Sequence, residues 1–252
     1  MIPVNEIICG DCADVLSRFP PSSVDLVLTS PPYDDLRTYD GAVFDFRRVA
    51  DELRRVVKPG GVVVWIVGDA TKKGTETGTS FRQALGFCDR GFRLHDTMIY
   101  KKKNPIPLTH RRYEQSFEFM FVFSLGSPAT FNALRDPVLK SGRGGTFRQR
   151  DDSLRPRNTS RVNATKIRGN VWEYTVGSKA TTVDKINHPA AFPEALARDH
   201  IISWSNAGDL VVDIFNGSGT TTKIAKSLGR RFVGIDVVER YCQEAMERLS
   251  NV

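Results

Sequence analysis

Short apolar runs alternate along the chain with segments whose apolar residues recur every three to four positions. The runs predict strands at 6–9, 24–28, 62–67, 92–100, 117–123, 210–214 and 231–235. The periodic segments predict helices at 11–19, 43–57, 79–90, 193–205, 219–229 and 237–250. Strands that alternate with helices are typical of an α/β protein whose sheet is covered on both faces.

The segment 43–57 shows the helical period most clearly. Phe46, Val49 and Leu53 recur on one face, and the Pro-Gly-Gly at 59–61 is expected to terminate the helix.

A glycine-rich turn lies within "DLVVDIFNGSGTTTKIAKSLGRRFVGIDV", residues 209–237. The order is strand, turn, helix, strand and then an acidic residue, Asp236. Gly217 and Gly219 permit close approach of a ligand, and the helix that follows points free N–H groups into the turn. An acidic residue at the end of the next strand is placed to bind ribose hydroxyls. The stretch predicts a site for an adenosine-containing cofactor, with a plain tight turn as the alternative.

Two common cofactors are disfavoured by this turn. Thr222 replaces the third glycine of the G-x-G-x-x-G fingerprint, which argues against a nicotinamide cofactor. The G-K-[ST] ending of a P-loop is missing from the sequence, which argues against a nucleoside triphosphate.

A second unusual turn follows the strand at 24–28, in the stretch "VDLVLTSPPYDD". Ser30, Pro31, Pro32 and Tyr33 form it. Proline has a fixed φ and no N–H, so such a turn holds its carbonyl groups rigidly. The alternative is a rigid turn with no further role.

The net charge of +7 is concentrated in one segment. Residues 126–182 show little periodicity, and between 143 and 168 eight basic residues face only Asp151 and Asp152. A long structureless insert with this charge predicts a functional segment that binds a polyanion, with disorder as the alternative for parts of 141–165. No run of about 18 apolar residues occurs and no signal peptide is visible, so the expected location is cytoplasmic, without a membrane.

Four cysteines, Cys9, Cys12, Cys88 and Cys242, include one C-x-x-C pair. A zinc site needs about four ligands, and neither a second C-x-x-C nor paired histidines accompany it. Reduced thiols are therefore expected, with no metal.

Together the two turns resemble the DNA amino-methyltransferases that use S-adenosylmethionine. "TSPPY" matches the catalytic motif of that family and "DIFNGSGTT" its cofactor loop, and further similar segments cover all of the chain except about 126–180. The catalytic motif precedes the cofactor loop, which resembles the β-type, circularly permuted order. The resemblance implies a Rossmann-like methyltransferase fold, a seven-stranded, mostly parallel sheet with one antiparallel strand. It also implies a catalytic half at 1–125, a basic target-recognition insert at 126–182 and a cofactor-binding half at 183–252.

The resemblance implies catalytic roles for Ser30, Pro31, Pro32 and Tyr33. An exocyclic amino nitrogen is a poor nucleophile because its lone pair is delocalised into the base. Acceptors such as the Ser30 hydroxyl and the Pro31 carbonyl would pull the amino group toward tetrahedral geometry and release that lone pair. Tyr33 would stack on a base flipped from the duplex.

Cofactor contacts implied by the resemblance come from both ends of the chain. The residues are Asp11, Asp213, Phe215, Gly217, Ser218, Gly219, Thr220, Thr221 and Asp236. Alternatives stay open for some of them: Asp11 as a helix N-cap, Phe215 as core packing, and Thr220 and Thr221 as capping residues. His188 and Pro189 resemble a segment near the cofactor, or His188 is structural.

Double-stranded DNA is the implied partner, and basic residues are the candidates to contact it. They are Arg111, Arg112, Arg143, Arg148, Arg150, Arg155, Arg157, Arg161, Lys166 and Arg168. Lys and Arg neutralise phosphates without reading sequence, and surface charge alone is the alternative. Candidate base readers are Asn158, Asn163 and Asn170, and a candidate loop closing over DNA contains Asp34, Asp35, Arg37 and Tyr39.

Ser30 favours N4 of cytosine as the target, with N6 of adenine as the alternative, because in the family serine is commoner at this position in cytosine enzymes. Cytosine carbon-5 is excluded because no cysteine follows a proline. Rival functions are an inactive basic DNA-binding protein and a nicotinamide oxidoreductase, which leaves the Ser-Pro-Pro-Tyr turn unexplained. A restriction endonuclease would be a separate chain or missing altogether, and the permuted order suggests a homodimer.

Overall fold

The computed structural model describes residues 2–33, 44–105, 112–138, 146–156, 164–176 and 192–252. The chain divides into two compact units. The larger comprises Met1–Asn132 and Asn170–Val252, and the smaller comprises Ala133–Gly169.

Fourteen strands and six helices form in the described residues. In chain order they are β1 (Glu6–Cys9), α1 (Cys12–Leu16), β2 (Val24–Thr29), α2 (Phe46–Val56), β3 (Val57–Val67), β4 (Thr71–Lys72), β5 (Thr75–Glu76), α3 (Thr79–Asp89), β6 (Arg93–Lys102), β7 (Phe117–Ser124), β8 (Arg135–Pro137), β9 (Thr146–Arg148), β10 (Leu154–Pro156), β11 (Thr165–Ile167), β12 (Val171–Tyr174), α4 (Glu194–Trp204), β13 (Leu210–Asp213), α5 (Thr220–Ser227), β14 (Arg231–Asp236) and α6 (Glu239–Ser250).

The large unit is built around one sheet in the order β1-β14-β13-β2-β3-β7-β6-β12. β7 is antiparallel to both of its neighbours, and every other pairing between adjacent strands is parallel. The α/β class and the single reversed strand agree with the sequence prediction. The predicted count of seven strands is wrong, because the described sheet has eight.

The additional strand is β12, which lies parallel to β6 at the sheet edge. Its sequence, "VWEY", is short and sits in the aperiodic segment 126–182, so apolar periodicity could not reveal it. Trp172 and Tyr174 point into the unit and are buried, which is why this edge closes onto α4.

All predicted strands and helices of the large unit form, with shifted ends. Helix α2 ends at Val56 and β3 begins at the next residue, so Pro59, Gly60 and Gly61 lie inside a strand instead of terminating a helix. Gly60 has a φ of +77°, and a Cβ there would lie 2.8 Å from the Ala129 Cβ. Glycine is therefore required where the strand passes this loop.

The two faces of the sheet carry separate apolar layers. Trp65 is fully buried on one face, where its ring contacts Phe46 of α2 and Phe87 of α3. On the other face Met120 contacts the Nε2 of His200 on α4 at 3.1 Å. Burial lowers the pKa of His200 to about 3, so it is a neutral core residue.

The small unit, Ala133–Gly169, contains two antiparallel ribbons, β8 with β11 and β9 with β10. It lies inside the segment 126–182 and is shorter, because Asn170 and β12 belong to the large unit. Within it, the Arg168 Nε lies 3.0 Å from the Asp136 Oδ1.

Among the residues that the structure describes, no helix is long and apolar enough to cross a membrane. Over the same residues, no cluster of three or more His, Cys, Asp or Glu side chains could hold a metal ion.

Candidate active site

Three neighbouring parallel strands, β2, β13 and β14, end at one edge of the large sheet. Carboxyl ends of parallel strands are where ligands of such sheets bind. Thr29 ends β2 and donates a 2.6 Å hydrogen bond from its hydroxyl to the Asp213 Oδ1 at the end of β13. This buried contact joins the Ser-Pro-Pro-Tyr turn to the strand that leads into the glycine-rich loop.

Asp213 is fully buried, and burial raises the pKa of its carboxyl group to about 6. Hydrogen bonds from Thr221, Thr29 and the Phe215 N–H oppose that shift because they favour the ionised form. The carboxyl group therefore anchors both turns from beneath.

The glycine-rich loop is shaped by Asp236 at the end of β14. The Asp236 Oδ2 accepts from the Gly217 N–H at 2.8 Å, and the Oδ1 accepts from the Val238 N–H at 2.9 Å. Burial raises the pKa of this carboxyl group, while the backbone hydrogen bonds lower it. Its two oxygens thus fix the loop and the next turn together.

Gly219 begins helix α5 in the left-handed conformation, with a φ of +83°. A Cβ at this position would lie 2.9 Å from the Ala245 Cβ and 3.2 Å from the Ala245 Cα. The loop can pack against α6 only with glycine here. Thr220, Thr221 and Thr222 follow and are buried at the start of α5.

Arg248 of α6 grips the same loop from outside. Its Nη1 donates to the Ser218 carbonyl at 2.7 Å, and its Nη2 pairs with the Glu194 Oε1 at 2.8 Å. Lys223 also pairs with the Glu194 Oε1, at 3.0 Å. A guanidinium that is 9% exposed is thereby satisfied by a carbonyl and a carboxylate. Sequence analysis did not identify Arg248 or Glu194, because nothing in the local pattern separates them from surface charges.

Asp11 lies beside the loop through the backbone, since the Gly10 N–H donates to the Asp236 carbonyl at 2.8 Å. Its side chain caps α1 by accepting from the Asp14 N–H at 2.9 Å. The N-cap interpretation of Asp11 is therefore correct, and its exposed carboxylate still borders the site.

Phe215 is half-buried in an aromatic group, with its ring 5.0 Å from Phe44 and 6.2 Å from Trp65. The packing interpretation of Phe215 is correct for this side chain. A contact to cofactor stays a prediction.

The Ser-Pro-Pro-Tyr turn brings two hydroxyl groups together. The Ser30 Oγ lies 3.0 Å from the Tyr33 Oη, and the Tyr33 hydroxyl donates to the Glu118 Oε2 at 2.9 Å. The Glu118 Oε1 in turn pairs with the Lys102 Nζ at 2.7 Å. Tyr33 lies over Gly68, where an added Cβ would be 3.5 Å from the ring.

Glu118 and Lys102 were not identified from the sequence. Glu118 is the only charged residue in the apolar strand "FEFMFVFS", and that position was the available signal. Thr29 was visible in the motif but was given no role, because its partner Asp213 is 184 positions away.

The predicted basic residues have diverse surroundings. Arg112 donates to the Gly74 carbonyl at 2.8 Å and pairs with Glu76 at 2.9 Å, so it holds the β4–β5 hairpin. In the small unit Arg148 lies 3.6 Å from Asp152. The described basic residues of that unit with exposed side chains are Arg148, Arg150, Arg155 and Lys166.

Asn170, a candidate base reader, donates its side-chain amide to the Thr97 carbonyl at 3.1 Å and thereby supports β6. Several predicted residues lie outside the described residues: Asp34, Asp35, Arg37, Tyr39, Arg111, Arg143, Arg157, Asn158, Arg161, Asn163, His188 and Pro189.

The fold and this edge define a class of protein. A mostly parallel sheet with a glycine-rich loop after one strand, an acidic residue ending the next, and a Ser-Pro-Pro-Tyr turn beside them is the arrangement of an S-adenosylmethionine-dependent methyltransferase. The close-packed Gly219 and the strand-end carboxylate of Asp236 fit an adenosine-containing cofactor.

The DNA methylase family model, N6_N4_Mtase, matches residues 24–247. The chain therefore belongs to this family and is a DNA amino-methyltransferase that uses S-adenosylmethionine. The orphan methyltransferase M.BamHII of Bacillus amyloliquefaciens is 50% identical over 250 residues, which cover 96% of this chain and 91% of that protein. The DNA adenine methyltransferase YhdJ of Escherichia coli (strain K12) is 27% identical over 257 residues, with 96% and 82% covered.

Solved structures support the same fold. PvuII DNA methyltransferase, described as cytosine-N4-specific, matches with a TM-score of 0.71 at 21% identity, over 96% of this chain and 85% of that one. A DNA modification methylase of Thermus thermophilus, TTHA0409, solved with S-adenosyl-L-methionine, matches with a TM-score of 0.66 at 27% identity, over 98% and 93%.

Proposed function

We propose that the protein transfers a methyl group to the exocyclic amino nitrogen of a base flipped from duplex DNA, with N4 of cytosine favoured over N6 of adenine. The observation that carries this is the shared edge of β2 and β13. There the buried Thr29–Asp213 hydrogen bond couples the Ser-Pro-Pro-Tyr turn to the glycine-rich loop. Nucleophile and methyl donor must meet within a few ångström for in-line transfer, so two adjacent strand ends suit the reaction.

At the catalytic turn, Ser30 and Pro31 serve as acceptors for the hydrogens of the amino group. Their effect is to localise the nitrogen lone pair, and no covalent enzyme intermediate is needed. The ring of Tyr33 stacks on the extruded base. Pro32 keeps the turn rigid because its φ is fixed.

At the cofactor loop, S-adenosylmethionine supplies an electrophilic methyl group when bound. The adenosine part is held by Asp236, Asp11 and Phe215, and the loop 217–221 lies along the amino-acid part. Gly217 and Gly219 keep this passage open, while Ser218, Thr220 and Thr221 line the start of α5. Asp213 stays beneath as support.

DNA is bound through phosphate contacts that carry no sequence information. Exposed Arg150, Arg155 and Lys166 of the small unit are suited to this, since lysine and arginine release counterions from the duplex. In the target-recognition role of segment 126–182, the base readers are further side chains of that segment.

The target base is proposed from Ser30, which accepts one amino hydrogen. The relatives named for their base differ, because YhdJ is a DNA adenine methyltransferase and the PvuII enzyme is cytosine-N4-specific. The test is mass spectrometry of nucleosides from DNA methylated by the purified protein. N4-methylcytosine supports the proposal, and N6-methyladenine establishes the alternative.

Transfer of labelled methyl groups from S-adenosylmethionine to sequence-diverse duplex DNA tests the reaction itself. Incorporation that is lost with Ser30→Ala supports the proposal. If the wild-type protein labels no DNA yet binds it tightly, the protein is instead an inactive DNA-binding protein. We further propose a homodimer that acts with a separate restriction endonuclease or with none, and M.BamHII is itself described as an orphan methyltransferase.

A further inference from the structure

A chain of hydrogen bonds runs from the catalytic turn into the sheet. It links the Ser30 Oγ, the Tyr33 Oη, the Glu118 carboxylate and the Lys102 ammonium group over 3.0, 2.9 and 2.7 Å. The first two residues follow β2, whereas Lys102 and Glu118 come from the adjacent antiparallel strands β6 and β7. Two segments that are remote in sequence thus meet at one hydroxyl group.

The chemistry of the groups fixes the direction of this chain. An ionised carboxylate only accepts, so the single proton of the Tyr33 hydroxyl is donated to Glu118. The Tyr33 oxygen must then accept in its contact with Ser30, which makes the Ser30 hydroxyl the donor. A serine hydroxyl that has donated its only proton presents lone pairs, and no hydrogen, to a substrate.

We propose that Glu118 is a positioning residue that makes Ser30 an obligate acceptor for the amino group of the target base. The proposal rests on the proposed function, in which that amino hydrogen must be accepted. Without a fixed acceptor at the end of the chain, the Tyr33 proton can turn toward the Ser30 oxygen. Ser30 would then direct its own proton at the amino nitrogen and consume the lone pair that attacks the methyl group.

The surroundings of Glu118 suit this role. Its side chain is 17% exposed and that of Lys102 is 24% exposed, so both are partly shielded from water. Lys102 occupies the Oε1 and leaves the Oε2 directed at Tyr33. The Lys102 N–H also donates to the Ser116 carbonyl at 2.7 Å, which ties its strand to the start of β7. A charge pair held on paired strands is a stiff support.

The test replaces Glu118 by Gln, which keeps the shape but can donate to the Tyr33 oxygen. We expect kcat to fall about 10- to 100-fold, as for a misoriented reacting group. The Kd for S-adenosylmethionine and the KM for DNA should stay within about twofold of wild type. The matched control is Glu173→Gln, which breaks the exposed Lys101–Glu173 pair at 3.0 Å on the neighbouring strand and should leave kcat unchanged.

A double-mutant cycle tests whether Glu118 acts through the tyrosine hydroxyl. In a Tyr33→Phe background the change Glu118→Gln should cost less than about twofold in kcat, because the intermediary is already removed. If Glu118→Gln matches Glu173→Gln, or if the two losses multiply, the proposal is overturned. A fall confined to cofactor affinity also overturns it.

Two further measurements keep the outcomes separate. Should Glu118→Gln fail to fold, Glu118→Asp keeps the charge, shortens the reach to Tyr33 and must show the same loss of kcat, or the proposal is wrong. A wild-type protein without activity on any DNA overturns the proposed function itself, whereas an active wild type with a fully active Glu118→Gln variant overturns only this inference.

Discussion

The cofactor loop and the catalytic turn end neighbouring strands, but they are held in different ways. The loop is fixed by backbone contacts: Asp236 receives two N–H groups, and Arg248 binds the Ser218 carbonyl. The catalytic turn is held through side-chain hydroxyl groups, from Ser30 to Tyr33 to Glu118. The fold therefore depends on the loop residues, whereas the hydroxyl groups of the turn are available for chemistry.

This difference separates the expected effects of mutations. Removing a group that satisfies buried backbone donors costs stability as well as ligand affinity. Removing a partly exposed hydroxyl group costs little stability, because water replaces it. Changes at the turn should therefore alter rate alone, and changes at the loop should alter stability and cofactor binding together.

The largest effect is expected at Ser30. Ser30→Ala should lower kcat about 100- to 1,000-fold, comparable to the loss of one preorganised group that stabilises a transition state. Its Kd for S-adenosylmethionine should stay near that of wild type. Ser23→Ala, which removes a hydroxyl bonded to the Pro20 carbonyl in an exposed turn, is the control. Isothermal titration beside steady-state kinetics would check this, and loss of cofactor binding by Ser30→Ala would contradict the separation.

Gly219→Ala should have the next largest effect, on stability. The added Cβ meets Ala245 at 2.9 Å and the φ is +83°, so we expect a loss of about 2–4 kcal/mol of unfolding free energy together with weakened cofactor binding. Gly229→Ala has a similar φ of +70° but nothing within 4 Å of its Cβ. It should cost only about 1–2 kcal/mol. Equal losses by urea denaturation would show that packing against α6 is unimportant.

Asp236→Asn should destabilise the loop by about 1–3 kcal/mol, because one amide N–H₂ then faces a backbone donor. The affinity for S-adenosylmethionine should fall roughly 10-fold, since about 1.4 kcal/mol corresponds to that factor. Asp209→Asn is the control, because its carboxylate accepts from the Asn206 N–H at 2.7 Å in an exposed turn. A variant Asp236→Asn with normal affinity and reduced kcat would reverse the roles of the two regions.

The smallest effect concerns pH and Asp213. Its folded pKa of about 6 lies above the unfolded value of 3.8, so the native state binds more protons between these values and stability falls as pH rises through that window. Relative to wild type, Asp213→Asn should gain on the order of 2–3 kcal/mol from pH 4 to pH 7, because it cannot ionise. Urea denaturation across that range measures the difference, and a difference independent of pH would show that Asp213 does not titrate there.

Much of this architecture is predictable from local pattern. The seven predicted strands form because each is a short apolar run, and α2 forms because Val49 and Leu53 repeat at the helical period. Strand β12 escaped prediction because four residues in an aperiodic segment carry no period. The Pro-Gly-Gly at 59–61 misled for a similar reason, since a bulged strand and a helix terminus use the same residues.

Sequence alone determined the class of sheet, the two turns at its edge and the family, because these depend on residue types at short spacing. Only the tertiary structure decided which side chains meet there. Thr29 and Asp213 are 184 positions apart, Tyr33 and Glu118 are 85 apart, and Arg248 reaches Ser218 across 30. Hydrogen bonds of this kind depend on strand order and register, which bring distant residues within 3 Å and leave no local trace in the chain.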